Sequence, residues 1–204
     1  MDHDVVYSIA GRGDDIWLGR QHGGLTRLHF DNGAFAAQTY THVQGLAQDS
    51  VFAVFESSDG AVWAATLSSG VCQLKNGRFT TYTTADGLPS NSVTSIAESS
   101  DGAMWFATPR GLSSLSNGHW HIYAVHDGLP PNGDLPSHAD LPPNAGAPSD
   151  EGVLSDDLDA LLQDSRGVLW IGTATGLSAL RSGHMLPPQN MPPPFCLLYT
   201  SRCV

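Results

Sequence analysis

Histidine is the residue with the widest chemical range in this chain, because it can ligate metals and exchange protons near neutral pH. The sequence contains nine histidines, and two of them, His119 and His121, would share one face of a β-strand. A zinc site needs further ligands, which His126 or His138 would have to fold back to supply. We therefore interpret the pair as surface residues beside Trp120, and we predict no metal site and no cofactor.

Residues suited to covalent or acid–base catalysis are present, but they lack a catalytic context. No Gly-x-Ser-x-Gly motif marks an activated serine. The carboxylate pairs at 14–15 and 156–157 stand at turn or linker positions, where aspartate is favoured because it bonds the local backbone. The cysteines predict no disulfide framework, and Cys72 is interpreted as a small buried hydrophobe on a strand. These observations predict a non-catalytic segment.

The net charge and the hydropathy of the chain argue against nucleic acid and membrane as partners of this segment. The formal net charge is −11, from 9 Lys and Arg against 20 Asp and Glu. Such a surface repels nucleic-acid phosphates and anionic lipids, so we predict that this segment binds neither nucleic acid nor membrane. No apolar run approaches the roughly 18 residues of a membrane helix. The first residues lack signal-peptide character, so either the protein is cytoplasmic or its true N-terminus is missing.

An internal repeat organises the chain and would position every polar residue discussed here. Segments 49–66, 91–108 and 156–173 match one another, and a weaker copy covers 5–20. A period near 42 residues with four short strands is the size of one β-propeller blade. The longest interval between repeats contains a Pro-rich stretch, so the period survives an insertion. The repeated tryptophans are Trp17, Trp63, Trp105 and Trp170.

Each unit is predicted to form four antiparallel strands joined by tight turns. In the third unit the strands are 93–98, 103–108, 111–116 and 119–124. A small residue ends each second strand, and the tryptophan two places earlier offers a flat surface between sheets. We predict an all-β fold, a partial β-propeller of about four blades with four antiparallel strands each. The repeated turn glycines, which tolerate positive φ, are Gly60, Gly102 and Gly167.

The repeat also gives boundaries along the chain. The Pro-rich insertion is too poor in apolar residues to pack alone, and it would project as a lid or as an idle loop. Four blades would not close the ring, and exposed strand edges and apolar faces would favour aggregation. We assign blade 1, whose completeness stays open, to residues 1–46, blade 2 to 47–88, blade 3 to 89–129, the insertion to 130–152, an incomplete blade 4 to 153–187 and a disordered tail to 188–204.

The end of the tail matches nothing in the repeat. Residues 196–204 can be back-translated into a string that, from Tyr199 onward, equals its own reverse complement. We interpret these residues as a translated sequencing adapter and exclude Cys196 and Cys203 from the structural argument. The alternative is a natural terminus without fixed structure.

Alternating strand direction predicts where a ligand would bind. The turns between second and third strands share one end of the blades with the linkers between blades. Polar side chains converging there would suit a small molecule, an oligosaccharide or a peptide. The alternative is that they are solvated loop residues. The predicted contacts are Gln21, His22, Ser68, Arg110 and Thr175.

The repeats resemble a known family of sensory repeats. Asp86-Gly-Leu-Pro-Ser-Asn-Ser-Val93 is followed by Asp101-Gly-Ala-Met-Trp105-Phe-Ala-Thr108 and then by Arg110-Gly-Leu112. Gly167-Val-Leu-Trp170-Ile-Gly-Thr-Ala-Thr-Gly-Leu177 matches the same pattern. These motifs are similar to two-component regulator propeller repeats, and the resemblance covers roughly residues 4–184.

The resemblance implies a setting for the chain. Such repeats form the periplasmic input of hybrid sensor histidine kinases, and many of them sense polysaccharide fragments. The chain is therefore expected to be a fragment of a periplasmic sensor, with the remaining blades and the signalling domains of the same chain as its partners. The alternatives are an enzyme of the streptogramin-lyase type and a platform for protein–protein interaction.

Overall fold

The computed structural model describes residues 4–31, 33–123, 158–173, 176–181 and 183–186. The insertion, the tail and Thr175 lie outside the described residues. Within them the chain forms sixteen strands in four separate four-stranded antiparallel sheets. Blade 1 contains β1 (Val6–Arg12), β2 (Asp15–Arg20), β3 (Leu25–Asp31) and β4 (Ala34–Tyr40), and a 3-10 helix (His42–Gln44) follows it. Blade 2 contains β5 (Val51–Glu56), β6 (Val62–Thr66), β7 (Val71–Lys75) and β8 (Arg78–Tyr82).

The other two sheets repeat this order. Blade 3 contains β9 (Ser95–Glu98), β10 (Met104–Thr108), β11 (Gly111–Ser116) and β12 (His119–Tyr123). Blade 4 contains β13 (Leu158–Gln163), β14 (Val168–Thr173), β15 (Gly176–Arg181) and β16 (His184–Met185). The fourth unit, expected to be incomplete, thus has four strands, although the last is only two residues long. The predicted all-β partial propeller of four blades is confirmed.

Asparagine–glycine turns close the outer hairpins of the two central blades. Asn76 and Gly77 have φ of 52° and 74°, and Asn117 and Gly118 have φ of 50° and 78°. Positive φ at both central residues twists a two-residue turn in the sense of the flanking strands, and asparagine and glycine adopt it most readily. Local sequence therefore sets the register of these hairpins, β7–β8 and β11–β12.

The hydrophobic core lies between the blades. Each of three clusters joins side chains of two consecutive sheets, and each contains one repeat tryptophan, namely Trp17, Trp63 or Trp105. These three side chains are at most 6% exposed. A Cβ at Gly19 would lie 2.9 Å from the carbonyl oxygen of Val51, so a side chain there would push blades 1 and 2 apart. Burying the sheet faces thus requires the blades to stack.

The outer faces of the first and last blades are exposed. Ile9, on the face of β1 away from blade 2, is 69% exposed. In blade 4, Leu162 is 66% exposed and lies opposite Trp170, which is only partly buried. Among the described residues, the first and the last blade of the stack therefore each present apolar side chains on the face that no other blade covers.

Serine hydroxyls connect the innermost strands of consecutive blades. The N–H of Val54 donates to Ser8 Oγ at 3.1 Å, and the N–H of Leu161 donates to Ser95 Oγ at 3.0 Å. The residue at this place in blade 2 is Ala53, which has no hydroxyl. One of the three joints between blades therefore lacks a bond that the other two have.

Exchanging these residues tests the value of the bond. Ser8→Ala is expected to lower the free energy of unfolding by about 1 kcal/mol, because one hydrogen bond is lost. Ala53→Ser is expected to raise it by up to about 1 kcal/mol, because the new hydroxyl would face the N–H of Ile96. Urea denaturation measures both effects. If neither Ser8→Ala nor Ala53→Ser changes the free energy of unfolding, this account is contradicted.

Candidate ligand-binding face

The turns between second and third strands and the linkers between blades lie at one end of the stack. This end, here called the linker face, comprises turns 21–24, 67–70 and 109–110 and linkers 41–50 and 83–92. The N–H of Leu67 donates to the carbonyl oxygen of Ser50, so a turn and a linker of the same blade are in contact. The opposite end carries the tight hairpin turns.

Each linker begins with a threonine cap that fixes its path. Thr41 and Gln44 form a capping box, in which the N–H of Thr41 donates to Gln44 Oε1 at 2.8 Å. Gly45 then turns the chain at φ 101°, and Leu46 is 2% exposed in the core. In the second linker the N–H of Thr83 donates to a carboxylate oxygen of the residue three places later, again at 2.8 Å. The linkers are thus ordered by their own sequence.

The linkers are also bonded to the turns beside them. The N–H of His42 donates to Asp49 Oδ1 at 2.7 Å, and the carbonyl oxygen of Asp49 accepts the N–H of Gly24 at 2.8 Å. Asn91 holds the same place in the second linker, and its carbonyl oxygen accepts the N–H of Gly70 at 2.8 Å. The backbone of the linker face is therefore fixed before any ligand binds.

Gln21 and His22 lie in the turn of blade 1. Gln21 is half-buried, and its N–H donates to the carbonyl oxygen of Val5 at 2.9 Å. The His22 side chain is 79% exposed, and its N–H donates to Asp4 Oδ1 at 3.0 Å. Burial would raise the pKa of Asp4, but the N–H of His22 and the guanidinium of Arg20, 3.1 Å away, lower it overall. The turn thus presents an exposed imidazole beside a partly buried ion pair.

Ser68 and Arg110 lie in the turns of blades 2 and 3. The N–H of Ser68 donates to Gln48 Oε1 at 3.0 Å, which ties this exposed serine to the first linker. The N–H of Arg110 donates to Thr108 Oγ1 at 3.1 Å. Within the part of the chain that the structure describes, the half-buried guanidinium of Arg110 forms no hydrogen bond or ion pair. The four predicted contacts that the structure describes all lie on the linker face. The fifth, Thr175, lies outside the described residues.

A histidine–aspartate pair on the linker face was missed by the sequence analysis. His42 Nδ1 lies 2.6 Å from Asp49 Oδ2, and the histidine side chain is 69% exposed. Burial would raise the pKa of Asp49, but the hydrogen bonds from His42 lower it. Seven residues separate the pair, and only the path of the linker brings them together, so spacing alone gave no signal.

Three inner strands carry a β-bulge near the linker face. The strand register shifts between Val6 and Ser8, between Val51 and Ala53, and between Leu158 and Ala160. A bulge re-aims the side chain of the extra residue. The three extra residues, all exposed, are Tyr7, Phe52 and Asp159.

The histidine pair considered as metal ligands lies elsewhere. His119 and His121 are exposed on the outer strand β12, and the His121 ring meets Tyr123 edge-on at 4.5 Å. Among the described residues no group of three or more His, Cys, Asp or Glu side chains could hold a metal ion. Cys72 is buried on β7, and desolvation raises the pKa of its thiol. The described part of the chain contains no helix long and apolar enough to cross a membrane.

The repeats themselves match a family model. Residues 87–110 and 152–175 match the model of the two component regulator propeller. Two segments of the chain, one around Trp105 and one around Trp170, thus match this repeat. Each match includes the glycine-containing turn and the tryptophan of one blade, and the tryptophan of the first match, Trp105, lies in the core between blades 3 and 4. No curated protein matches the chain.

Solved structures share the fold of these propeller repeats. The extracellular domain of BT3049 from B. thetaiotaomicron, described as a hybrid two component system, is 22% identical with a TM-score of 0.66. Virginiamycin B lyase from Staphylococcus aureus, solved with quinupristin, is 16% identical with a TM-score of 0.63. The chain is covered to 86% and 91% in these comparisons, but it spans only 21% and 56% of the two proteins. The designed protein Ika4 is 11% identical with a TM-score of 0.57, with 89% of this chain and 93% of Ika4 covered.

Proposed function

We propose that this chain is a ligand-sensing segment of a bacterial two-component signalling protein, acting as periplasmic input to a hybrid sensor histidine kinase. The observation that carries the proposal is the match of two blades to the two component regulator propeller. The linker face supports it, since the backbone there is fixed, the Gln21 and Arg110 side chains form no hydrogen bond with any described residue, and His22 is exposed. The ligand is a glycan fragment, and its contacts include these residues together with Ser68 and Thr175.

Arg110 provides the sharpest test of the ligand-binding face. Hexasaccharides of cellulose, xylan, starch and pectin would be screened for an increase in the thermal unfolding midpoint of the full chain. A ligand at 100 times its Kd stabilises a protein by about 2.7 kcal/mol, which a thermal shift detects. Arg110→Ala is expected to weaken binding of the stabilising saccharide at least tenfold, because hydrogen bonds from a charged group are lost.

The matched control for Arg110 is Arg78→Ala. Arg78 is exposed at the start of β8, at the opposite end of the blade, so its removal is expected to leave binding unchanged. Equal losses from both variants would show a general charge effect instead of recognition on the linker face. Absence of binding by any small molecule would contradict the sensing function itself.

A lyase is the second candidate, and the His42–Asp49 pair favours it. An exposed histidine oriented by a carboxylate through its Nδ1 can act as a general base through its other ring nitrogen. Virginiamycin B lyase shares the fold. Incubation of the full chain with quinupristin, followed by mass spectrometry, tests this activity. Turnover that His42→Ala abolishes would favour the enzyme, whereas an unchanged substrate would leave the sensor as the function.

A further inference from the structure

Tyr7 and Phe52 form an aromatic pair that is not part of the hydrophobic clusters between the blades. Each is the extra residue of a β-bulge on an inner strand, in blade 1 and blade 2 respectively. Their ring centroids lie 5.4 Å apart with an interplanar angle of 43°, and the side chains are 43% and 39% exposed. Trp63 and Phe106, a ring pair between blades 2 and 3, are at most 2% exposed. The fold thus buries one such pair and leaves the other open to solvent.

The open pair lies at the linker-face end of its strands. Val6 is paired with Arg20 and Val51 with Thr66, which places the bulges beside the turns that follow β2 and β6. Phe52 therefore stands next to the turn that begins at Leu67, which is 51% exposed. The aromatic rings and the predicted polar contacts accordingly share one end of the stack.

Neutral hydrogen-bonding groups border the rings. Gln21 lies next to the strand of Tyr7, because its N–H donates to the carbonyl oxygen of Val5. On the side of Phe52, Ser68 is bonded to Gln48 in the neighbouring linker. Two exposed rings, tilted against each other and bordered by an amide and a hydroxyl, match a ligand that has an apolar face and hydrogen-bonding edges. A pyranose ring has both.

We propose that Tyr7 and Phe52 form a stacking platform on which one sugar ring of the ligand lies. The platform rests on the proposed sensing function and specifies the residues that recognise the ligand class. Burying two half-exposed rings under the sugar supplies the apolar part of the binding energy. Gln21 and Ser68 bond its hydroxyl groups. β-bulges are over-represented beside binding sites, where they re-aim side chains, and here two of them place the aromatic rings at the linker-face end.

The test uses the full chain immobilised on a biosensor surface, so that aggregation does not interfere. The probes are hexasaccharides of cellulose, xylan, starch and pectin, together with a set of amino acids and nucleotides. Tyr7→Ala and Phe52→Ala are each expected to weaken saccharide binding about tenfold, and Phe52→Tyr is expected to retain it. The matched control is Phe35→Ala, which removes a 58% exposed ring whose centroid lies 4.9 Å from that of Phe30 on the outer hairpin.

The outcomes separate the platform from the sensing function. Saccharide binding that Tyr7→Ala and Phe52→Ala weaken, and that Phe35→Ala leaves unchanged, supports the platform. Saccharide binding that these variants leave intact overturns the platform, while ligand sensing stands. Binding of only an amino acid or a nucleotide likewise overturns the sugar platform and retains the sensing function. If no probe of any class binds, both proposals are overturned.

Discussion

Trp63→Ala is expected to lower the free energy of unfolding by about 3–5 kcal/mol, which is the cost of truncating a large buried aromatic side chain. The Trp63 side chain is 2% exposed. Its ring lies 5.8 Å from that of Tyr82 in the same blade and 5.3 Å from that of Phe106 in the next blade. The substitution would therefore open a cavity at the joint between the two central blades. Urea denaturation followed by circular dichroism measures the loss.

Trp170→Ala is the matched control, because it changes the same repeat position in blade 4. Trp170 is only partly buried, and its Nε1 donates to Asp164 Oδ2 at 3.2 Å. Its removal is expected to cost about 1–2 kcal/mol, since less surface returns to water and one hydrogen bond is lost. Equal costs at the two positions would contradict the view that the tryptophans stabilise the fold chiefly through the following blade.

Gly70→Ala is expected to destabilise the protein by about 3 kcal/mol or more. Gly70 has φ +84°, where an alanine costs about 1–2 kcal/mol. A Cβ would also lie 2.0 Å from the carbonyl oxygen of Tyr82, and overpacking of this kind costs about 1–3 kcal/mol. The hydrogen bond from Gly70 to Asn91 in the linker would be distorted as well. The midpoint of urea unfolding reports the combined effect.

Gly60→Ala separates backbone strain from steric contact. Gly60 has φ +78°, almost the same as Gly70, but no atom lies within 4 Å of the position of its Cβ. This variant is expected to cost only about 1–2 kcal/mol. If Gly60→Ala and Gly70→Ala lower the free energy of unfolding by the same amount, the steric contact with Tyr82 contributes nothing to the destabilisation. If Gly70→Ala also weakens ligand binding, the linker face depends on this turn.

The fold could be predicted because the repeat encodes it several times over. The spacing of Trp63 and Trp105 gave the size of a blade, and the turns at Gly60 and Gly102 gave the hairpins. The common end of turns and linkers followed from antiparallel strand direction alone. Because several copies of the repeat predict the same four strands, a wrong strand assignment in one copy does not change the predicted architecture.

The platform could not be predicted, because the sequence pattern does not mark a β-bulge. Tyr7 and Phe52 stand in apolar runs, where either residue would be taken as an ordinary inward-facing strand position. The bulge places one extra residue outside the two-face alternation, and only the pairing with the next strand reveals it. The His42–Asp49 pair was missed for a similar reason, since a capped linker and not a regular strand brings the two together.

Equivalent positions also form different bonds in different blades. Trp105 Nε1 donates to Ser99 Oγ at 3.0 Å. In blade 2 the Ser57 hydroxyl bonds Asp59 and the carbonyl oxygen of Ala61, just as Ser99 bonds the equivalent two residues. Trp63 Nε1, however, has no partner within the described chain. Identical residue types at identical spacing thus did not determine whether the tryptophan N–H reaches the serine hydroxyl.

The order of strands within each sheet has a consequence for synthesis. Every sheet uses one continuous segment of chain, with its strands paired in chain order. Contact order within a blade is therefore low, and a blade can form as soon as its fourth strand has left the ribosome. Its tryptophan face, however, stays uncovered until the next blade is made. Trp17, Trp63 and Trp105 are thus the surfaces that a nascent chain would present to chaperones, each for the time needed to translate one further repeat.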